Sequence, residues 1–262
     1  MDSANKLLSD KNIPPRERLI FALDLPTVDA ARGMVDTLGE SVQFYKLGLE
    51  LFMAGGYFAL VDVLIAQGKK VFVDLKFFDV PQTVERAVRR LDGRGVSFTT
   101  VHGNDAILEA ACSAKGETKI LAVTVLTSLD AGDLEDLGFQ CEPKELVLSR
   151  ARRALAIGCD GVISSGLEAA DLRRDLGDRL LIVTPGIRLG DDDHHDQARF
   201  ATPTEAADAG ADYLVVGRSI TRAPDPVEAL ALVHGQAELP SGSQDGAHPG
   251  VQAETPTDLT SA

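Results

Sequence analysis

Short apolar runs and helix-like stretches alternate along most of this chain. The runs have the length and the Val, Ile, Leu and Phe content of β-strands, and Pro81 suits the first turn of one of the helices between them. The predicted strands are 18–25, 42–49, 70–77, 97–102, 119–126, 161–165, 180–187 and 213–219. The predicted helices are 27–38, 51–67, 81–91, 104–114, 144–157, 167–176, 204–209 and 226–234.

Strict alternation of strand and helix predicts a parallel sheet with helical crossovers. Eight such units in 262 residues favour a single-domain α/β fold closed into a (β/α)8 TIM barrel. An open, doubly wound sheet is less favoured, because no GxGxxG follows the first strand. We therefore expect a barrel over residues 18–235. An N-terminal extension, 1–17, precedes it, and a disordered acidic tail, 236–262, follows it.

The charge balance is acidic, with 26 basic residues against 40 acidic ones and a formal net charge of −14. Nucleic acids and anionic membranes are polyanions, so neither is an expected partner. No apolar run approaches the ~20 residues of a membrane span, and the first residues lack the apolar core of a signal peptide. Cys112, Cys141 and Cys159 are odd in number and lack CxxC spacing, which predicts free thiols and a cytoplasmic location.

Charged residues stand at the ends of the first three predicted strands, where an apolar core would reject them. Asp24 ends the first strand, Lys46 lies in the second, Asp74 and Lys76 lie in the third, and Asp79 follows it. Chemistry in (β/α)8 barrels is located at the carboxyl ends of the strands. These positions therefore predict an active site.

Alternation along the third strand places Asp74 and Lys76 on one face. Val73, Leu75 and Phe77 then occupy the opposite face, which can pack against the helices. The alternative is an Asp–Lys pair that only neutralises itself inside the barrel. Charges at three successive strand ends favour an active site over that alternative.

Residues 74–84, DLKFFDVPQTV, resemble the strand-3 signature of the orotidine 5'-phosphate decarboxylase family, an Asp-x-Lys-x-x-Asp followed shortly by a Thr. Sugar-phosphate lyases of the same superfamily share this motif, but further segments of the family occur in order. The resemblance spans about residues 18–234. The further segments are FALDL at 21–25, FYKLG at 44–48, VTVLTS at 123–128, TPGIR at 184–188 and VGR at 216–218.

The resemblance implies decarboxylation of orotidine 5'-phosphate (OMP) to UMP, in de novo pyrimidine biosynthesis, without cofactor or metal. It implies that Lys76 stabilises the carbanion formed at C6 and then protonates it. It also implies that Asp74 lies near the substrate carboxylate, and that Asp79 and Thr83 reach the active site of a neighbouring subunit in a homodimer. Asp24 and Lys46 would contact the ribose.

The remaining substrate contacts follow the ends of later strands. The resemblance implies that Thr127 and Ser128 bind the pyrimidine edge. A glycine lets backbone N–H groups approach a phosphate closely, and an arginine is a forked donor. The loops after strands 7 and 8 are therefore the expected phosphate site, with Pro185, Arg188, Gln197, Gly217 and Arg218.

Three other features resemble functional sites less specifically. The DDDHHD run at 191–196 offers metal-ligand side chains but lacks the spacing of known sites, so we expect a solvated loop. We expect His102 to support the site without reacting, and Ser164 and Ser165 to shape the pocket, since no GxSxG is present.

Two other functions stay open at this point. A metal-dependent sugar-phosphate lyase would use the strand-3 acid as a magnesium ligand. Lys46 stands where that chemistry would want another acid, although Glu50 is nearby. The second alternative is a barrel that binds nucleotide phosphates without catalysis, which gives no reason for the charged strand ends.

Overall fold

Eight parallel strands close a barrel in the order of the sequence, with β8 pairing back to β1. The structure is a computed structural model that describes residues 11–189 and 200–237. The closed barrel confirms the predicted fold class. The strands are β1 Leu19–Ala22, β2 Phe44–Leu47, β3 Lys70–Phe77, β4 Phe98–Val101, β5 Lys119–Val123, β6 Gly161–Ile163, β7 Leu181–Thr184 and β8 Tyr213–Val216.

Helices connect the strands on the outside of the barrel. Short 3-10 turns occur at Pro15–Glu17 and Gly39–Ser41. The α-helices are α1 Val28–Leu38, α2 Leu49–Met53, α3 Tyr57–Ala66, α4 Pro81–Arg89, α5 Asp105–Ala114, α6 Ala131–Asp136, α7 Pro143–Ile157, α8 Gly166–Leu176, α9 Pro203–Asp208, α10 Arg218–Thr221 and α11 Pro226–Gln236. No helix of the described residues is both long and apolar enough to cross a membrane.

The helices differ from the sequence prediction at three places. The single helix predicted over 51–67 is two helices, because the chain turns through Gly55 (φ 79°) and Gly56 (φ 71°) between them. The short helices α6 and α10 were not predicted. Helix α6 has little apolar periodicity and begins instead with a capping box between Asp130 and Asp133.

Aromatic side chains fill the inside of the barrel. The ring centroids of Phe44 and Phe98 lie 5.0 Å apart, and those of Phe98 and Tyr213 lie 5.1 Å apart. Phe72 is also buried in this interior cluster. Because the interior is packed, as in other (β/α)8 barrels, a ligand has room only above the packed layers, at the strand ends.

The amino-terminal end of the barrel is covered by the start of the described chain. Ile13 packs against the interior cluster. The Lys11 Nζ atom lies 3.1 Å from Asp212, whose carboxylate is fully buried and also lies 3.0 Å from Arg173. Residues 11–17 of the predicted extension therefore lie against the barrel. Residues 1–10, and 238–262 of the predicted tail, lie outside the described residues.

Candidate active site

Four charged side chains form a row of alternating sign across the carboxyl ends of β1, β2 and β3. The Lys46 ammonium lies 3.0 Å from Asp24 and 3.5 Å from Asp74. The Lys76 ammonium lies 2.9 Å from both carboxylate oxygens of Asp74. The structure thus brings together four of the five charged residues that the sequence placed at three successive strand ends.

The end of β3 departs from regular strand geometry at Lys76. Among the described residues, Lys76 is the one non-glycine residue with positive φ, at 47°. The pairing of β3 with β4 shifts between Val73 and Phe77, as at a β-bulge. A non-glycine residue in this region is strained by ~1–3 kcal/mol, and such strain is concentrated at functional sites. This bulge was not predicted from the sequence.

Thr100 of β4 holds the strained segment and was missed by the sequence prediction. Its hydroxyl oxygen accepts a hydrogen bond from the Lys76 backbone N–H over 2.9 Å. The same hydroxyl donates to Asp74 over 2.8 Å. A polar residue at an inward position of the next strand was the one available signal, and by itself it is weak because Thr also favours strands.

Burial and neighbouring charge act against each other at the centre of the row. Burial raises the pKa of Asp74. The charges of Lys46 and Lys76 and the hydrogen bond from Thr100 lower it by more, so the net pKa lies below its usual range. Burial lowers the pKa of Lys46, but Asp74 and Asp24 raise it to above its usual range. Both groups are therefore ionised at neutral pH.

A cavity of about 700 Å³ opens above this row, within the size range of small-molecule sites. Apolar side chains of the barrel interior, including Phe72 and Val215, form part of its wall. Most of the residues predicted to contact substrate line it. They are Asp24, Lys46, Asp74, Lys76, Thr127, Ser128, Pro185, Arg188, Gly217 and Arg218.

Two arginines face the cavity from the ends of β7 and β8. Arg188 is buried, and its guanidinium donates to the Ile187 carbonyl over 3.0 Å. Arg218 begins α10 directly after Gly217, where a Cβ atom would come within 3.1 Å of the Ala22 side chain. Arg222 also lines the cavity and was not predicted. These guanidinium groups give one side of the cavity the chemistry of a phosphate site.

Asp79 and Thr83 lie outside this cavity. Both are exposed, and the Asp79 carboxylate accepts a hydrogen bond from the Val80 backbone N–H over 2.6 Å. Asp79 lines a second, open concavity beside His102. Within one subunit the structure therefore does not bring Asp79 or Thr83 to the charged row.

Of the remaining predicted features, some lie outside the described residues and the others have clear surroundings. Gln197 and the 191–196 run lie outside the described residues. Burial, with Arg150 and Lys76, lowers the pKa of His102, so this imidazole is neutral at pH 7. The Ser164 and Ser165 hydroxyls both donate to the buried Glu168 carboxylate, which is consistent with a structural role.

Comparison with known proteins identifies the family of this chain. The model of the "Orotidine 5'-phosphate decarboxylase / HUMPS family" matches residues 17–233. An orotidine 5'-phosphate decarboxylase of Methylococcus capsulatus is 62% identical over 230 residues, covering 87% of this chain and 95% of that protein. One of Nitrobacter winogradskyi is 49% identical over 220 residues, covering 83% and 91%.

A solved structure gives the same result. The crystal structure of orotidine 5'-phosphate decarboxylase from Lactobacillus acidophilus superposes with a TM-score of 0.74 at 36% sequence identity, covering 84% of this chain and 99% of that one. The matched region includes every strand of the barrel and the charged row. The chain belongs to the orotidine 5'-phosphate decarboxylase / HUMPS family.

Proposed function

We propose that this enzyme removes CO2 directly from C6 of OMP, and that Lys76 protonates the carbon to give UMP. Decarboxylation of OMP in pyrimidine biosynthesis is the reaction of its named relatives. The observation that carries the proposal is the alternating row Asp24, Lys46, Asp74 and Lys76 on one wall of a cavity that has arginines on another.

The reaction requires a cation beside C6. When the C6–carboxylate bond breaks, its electron pair stays on C6, where the ring offers no orbital to delocalise it. A preorganised ammonium stabilises that charge and then donates a proton to the same carbon. Lys76 suits this role better than Lys46, because 36% of the Lys76 side chain is exposed toward the cavity against 11% for Lys46.

Asp74 contributes to the same step in two ways. Its carboxylate lies 2.9 Å from the Lys76 ammonium and fixes the position of that group. It also stands near the place where the substrate carboxylate would lie. Two like charges ~4 Å apart repel by ~4 kcal/mol at an effective dielectric of about 20, and this repulsion falls as the carboxylate becomes neutral CO2. We rank the stabilisation by Lys76 above this effect.

The other lining residues position the nucleotide. Arg218 and Arg188, with the Gly217 backbone and Pro185, form the proposed phosphate site, and Gln197 is proposed to join them. Asp24 and Lys46 are proposed to contact the ribose, and Thr127 and Ser128 the pyrimidine edge. Phosphate binding far from C6 then contributes to organising the reacting centre, which is how remote contacts raise kcat.

The assay that tests this function follows the ultraviolet change of OMP with purified protein in excess EDTA. We expect turnover in wild type and none in Lys76→Ala, while Lys76→Ala still binds UMP. Lys119→Ala is the matched control, since Lys119 is an exposed lysine at the opposite end of a barrel strand. Lys76→Ala turnover within tenfold of wild type would remove Lys76 from the mechanism.

The metal-dependent lyase is tested by comparing turnover of OMP and of a sugar phosphate, each with and without EDTA. Lys46 lies between the carboxylates of Asp24 and Asp74, at 3.0 and 3.5 Å. Its ammonium already neutralises both carboxylates, so they would be poor ligands for a divalent ion, which favours the decarboxylase. Activity on a sugar phosphate that EDTA abolishes, without OMP turnover, would favour the lyase. Nucleotide binding without turnover of either substrate would favour a non-catalytic barrel.

A homodimer is proposed to complete each site with Asp79 and Thr83 of the partner. The support is an exposed apolar surface beside Asp79, where Phe78 is 67% exposed and Val80 is 63% exposed. Exposed apolar groups of this size, next to an open concavity, are typical of an interface. Two-fold symmetry would place Asp79 of each subunit on the same interface as its counterpart.

Mixing two inactive variants tests the shared site. After co-refolding of Lys76→Ala with Asp79→Ala, each mixed dimer has one site with both groups intact. We therefore expect about a quarter of wild-type turnover, since about half of the dimers are mixed. If Asp79 acts within its own subunit, the mixture stays inactive.

We also propose that the enzyme works in the cytoplasm. Its three cysteines are free thiols, as is usual in a reducing compartment. Fractionation of the source cells with an antibody to the protein would test this location.

A further inference from the structure

Cys112 and Cys159 come together although they are far apart in sequence. Cys112 lies on α5 and Cys159 lies just before β6, and their Sγ atoms are 3.6 Å apart. A disulfide holds its sulfurs about 2.05 Å apart, so a movement of about 1.5 Å would join them. Both lie near the amino-terminal ends of the strands, at the opposite end of the barrel from the cavity.

The two thiols differ in access and in surroundings. Cys159 is 5% exposed, whereas Cys112 is only partly buried. The Lys115 ammonium lies one turn after Cys112 and binds Asp160 over 2.7 Å and the Gly158 carbonyl over 3.3 Å, on either side of Cys159. A small oxidant therefore reaches Cys112 first, beside a fixed positive charge.

The pKa values of the two cysteines also indicate that Cys112 is the more reactive thiol. The hydrogen bond from Cys159 and the charge of Lys115 lower the pKa of the Cys112 thiol, burial and the charge of Asp160 raise it, and the net pKa is lowered. The same hydrogen bond and burial raise the pKa of Cys159. Since the thiolate is the reactive form of cysteine, Cys112 is the nucleophile of the pair and Cys159 its neutral partner.

We propose that Cys112 and Cys159 are a peroxide-reactive pair that forms an intramolecular disulfide. The Cys112 thiolate attacks one oxygen of hydrogen peroxide, the O–O bond breaks, and the sulfur becomes a sulfenic acid as hydroxide leaves. The Cys159 sulfur then attacks that of Cys112, and its proton leaves with the displaced hydroxyl as water. The two thiols lose two electrons in total, which reduce the peroxide, and a dithiol reverses the oxidation.

The expected consequence is a more stable barrel with unchanged catalysis. The disulfide would close a loop that contains β5, α6 and α7, and a long closed loop lowers the entropy of the unfolded chain. Neither cysteine lines the cavity. We therefore expect OMP turnover to stay within twofold of its reduced value, while Tm rises on the order of 10 °C.

Peptide mapping after mild hydrogen peroxide treatment tests the pair. The full-length protein is oxidised, alkylated and digested without reductant. We expect a cross-linked peptide that contains Cys112 and Cys159, in wild type and in Cys141→Ser, together with the rise in Tm. Dithiothreitol should reverse both. Cys112→Ser should give neither the cross-link nor the rise in Tm.

A second variant identifies the attacking sulfur. In Cys159→Ala the sulfenic acid has no partner, so dimedone should label Cys112. In Cys112→Ser it should leave Cys159 unlabelled. A disulfide that uses Cys141 or joins two chains, or overoxidation of Cys112 without the cross-link in wild type, would overturn the proposal. If Cys159→Ala does not fold, the maps of wild type, Cys141→Ser and Cys112→Ser still decide it.

Discussion

The backbone N–H of Lys76 donates a hydrogen bond to the Thr100 hydroxyl oxygen over 2.9 Å, which ties the proposed acid to the neighbouring strand. The same hydroxyl donates to Asp74, so one side chain positions both members of the ion pair. Lys76 has a positive φ of 47°, a conformation that needs such support. Thr100 is therefore a positioning residue for the proposed chemistry.

We expect Thr100→Val to lower kcat by roughly 10- to 100-fold, since valine keeps the shape but leaves buried groups without their hydrogen bond, at a cost of ~1–3 kcal/mol. KM should change less than kcat. Thr99→Val is the matched control, because the Thr99 hydroxyl donates to the Val73 carbonyl over 3.0 Å, away from the cavity. Steady-state kinetics should show a lower kcat for Thr100→Val than for Thr99→Val. An equal loss of kcat in these two variants would contradict the positioning role of Thr100.

The lowered pKa of Asp74 predicts the pH dependence of stability. A carboxyl whose pKa is lower in the folded state stabilises the fold above its unfolded pKa, about 3.9, and this contribution is lost as the pH falls through the folded pKa. We expect Asp74→Asn to lower the free energy of unfolding by roughly 3 kcal/mol at pH 7, since Lys76 loses its carboxylate partner and Lys46 loses one of its two.

Urea unfolding at several pH values between 7 and 3 measures this effect. The difference in free energy of unfolding between wild type and Asp74→Asn should become smaller as the pH falls below about 4. Asp175→Asn is the control, since Asp175 pairs with Arg152 at the surface, where water screens the charges, and its loss of unfolding free energy should be much smaller. If the loss of unfolding free energy in Asp74→Asn stays constant over this pH range, the charge of Asp74 is not the cause of that loss.

Arg218→Ala should weaken nucleotide binding and also lower kcat. A charged hydrogen bond to phosphate contributes about 1.5–3 kcal/mol, so kcat/KM should fall by roughly 10- to 150-fold. Arg174→Ala is the control, because Arg174 is exposed and pairs with Asp171 on α8. Kinetics with OMP that show a higher KM at unchanged kcat would mean that phosphate binding does not organise the reacting centre.

A side chain at position 48 would come too close to the charged row. The φ of Gly48 is −106°, but a Cβ atom there would lie 2.9 Å from an Asp24 oxygen and 3.3 Å from the Lys46 ammonium. We expect Gly48→Ala to displace this ion pair and reduce kcat/KM at least tenfold. Gly33→Ala, on α1 with open space around it, should keep full turnover and stabilise the fold by ~0.5–1 kcal/mol. Equal kinetics for both variants would show that the row tolerates the methyl group.

The strands were predictable because a barrel strand is buried on both faces and forms an apolar run that is bounded by polar residues. Each observed strand lies within its predicted range; β3 matches its range, and the other predicted ranges extend a few residues further. The charged row was also predictable, because a packed core rejects charges and these residues therefore stand out at the strand ends. The row consists of Asp24, Lys46, Asp74 and Lys76. Helix α6 was missed because its stability comes from capping, which gives no apolar period.

Features that depend on two segments at once could not be read from either segment. The bulge at Lys76 needs the register between β3 and β4, and Thr100 acquires its role only from that register. Likewise, the sequence analysis predicted Cys112 and Cys159 only as free thiols. Their contact becomes apparent from the fold. The roles of Asp79 and Thr83 stay predictions, since they concern a second subunit.

The covered amino-terminal end of the barrel makes this enzyme suitable for attachment to a solid support. Ile13 and the Lys11–Asp212 pair fill that end, and the Glu17–Lys70 ion pair lies at the same end. A tether placed there would point the open mouth toward the bulk solution. An immobilised barrel should then receive its nucleotide without hindrance from the surface that carries it.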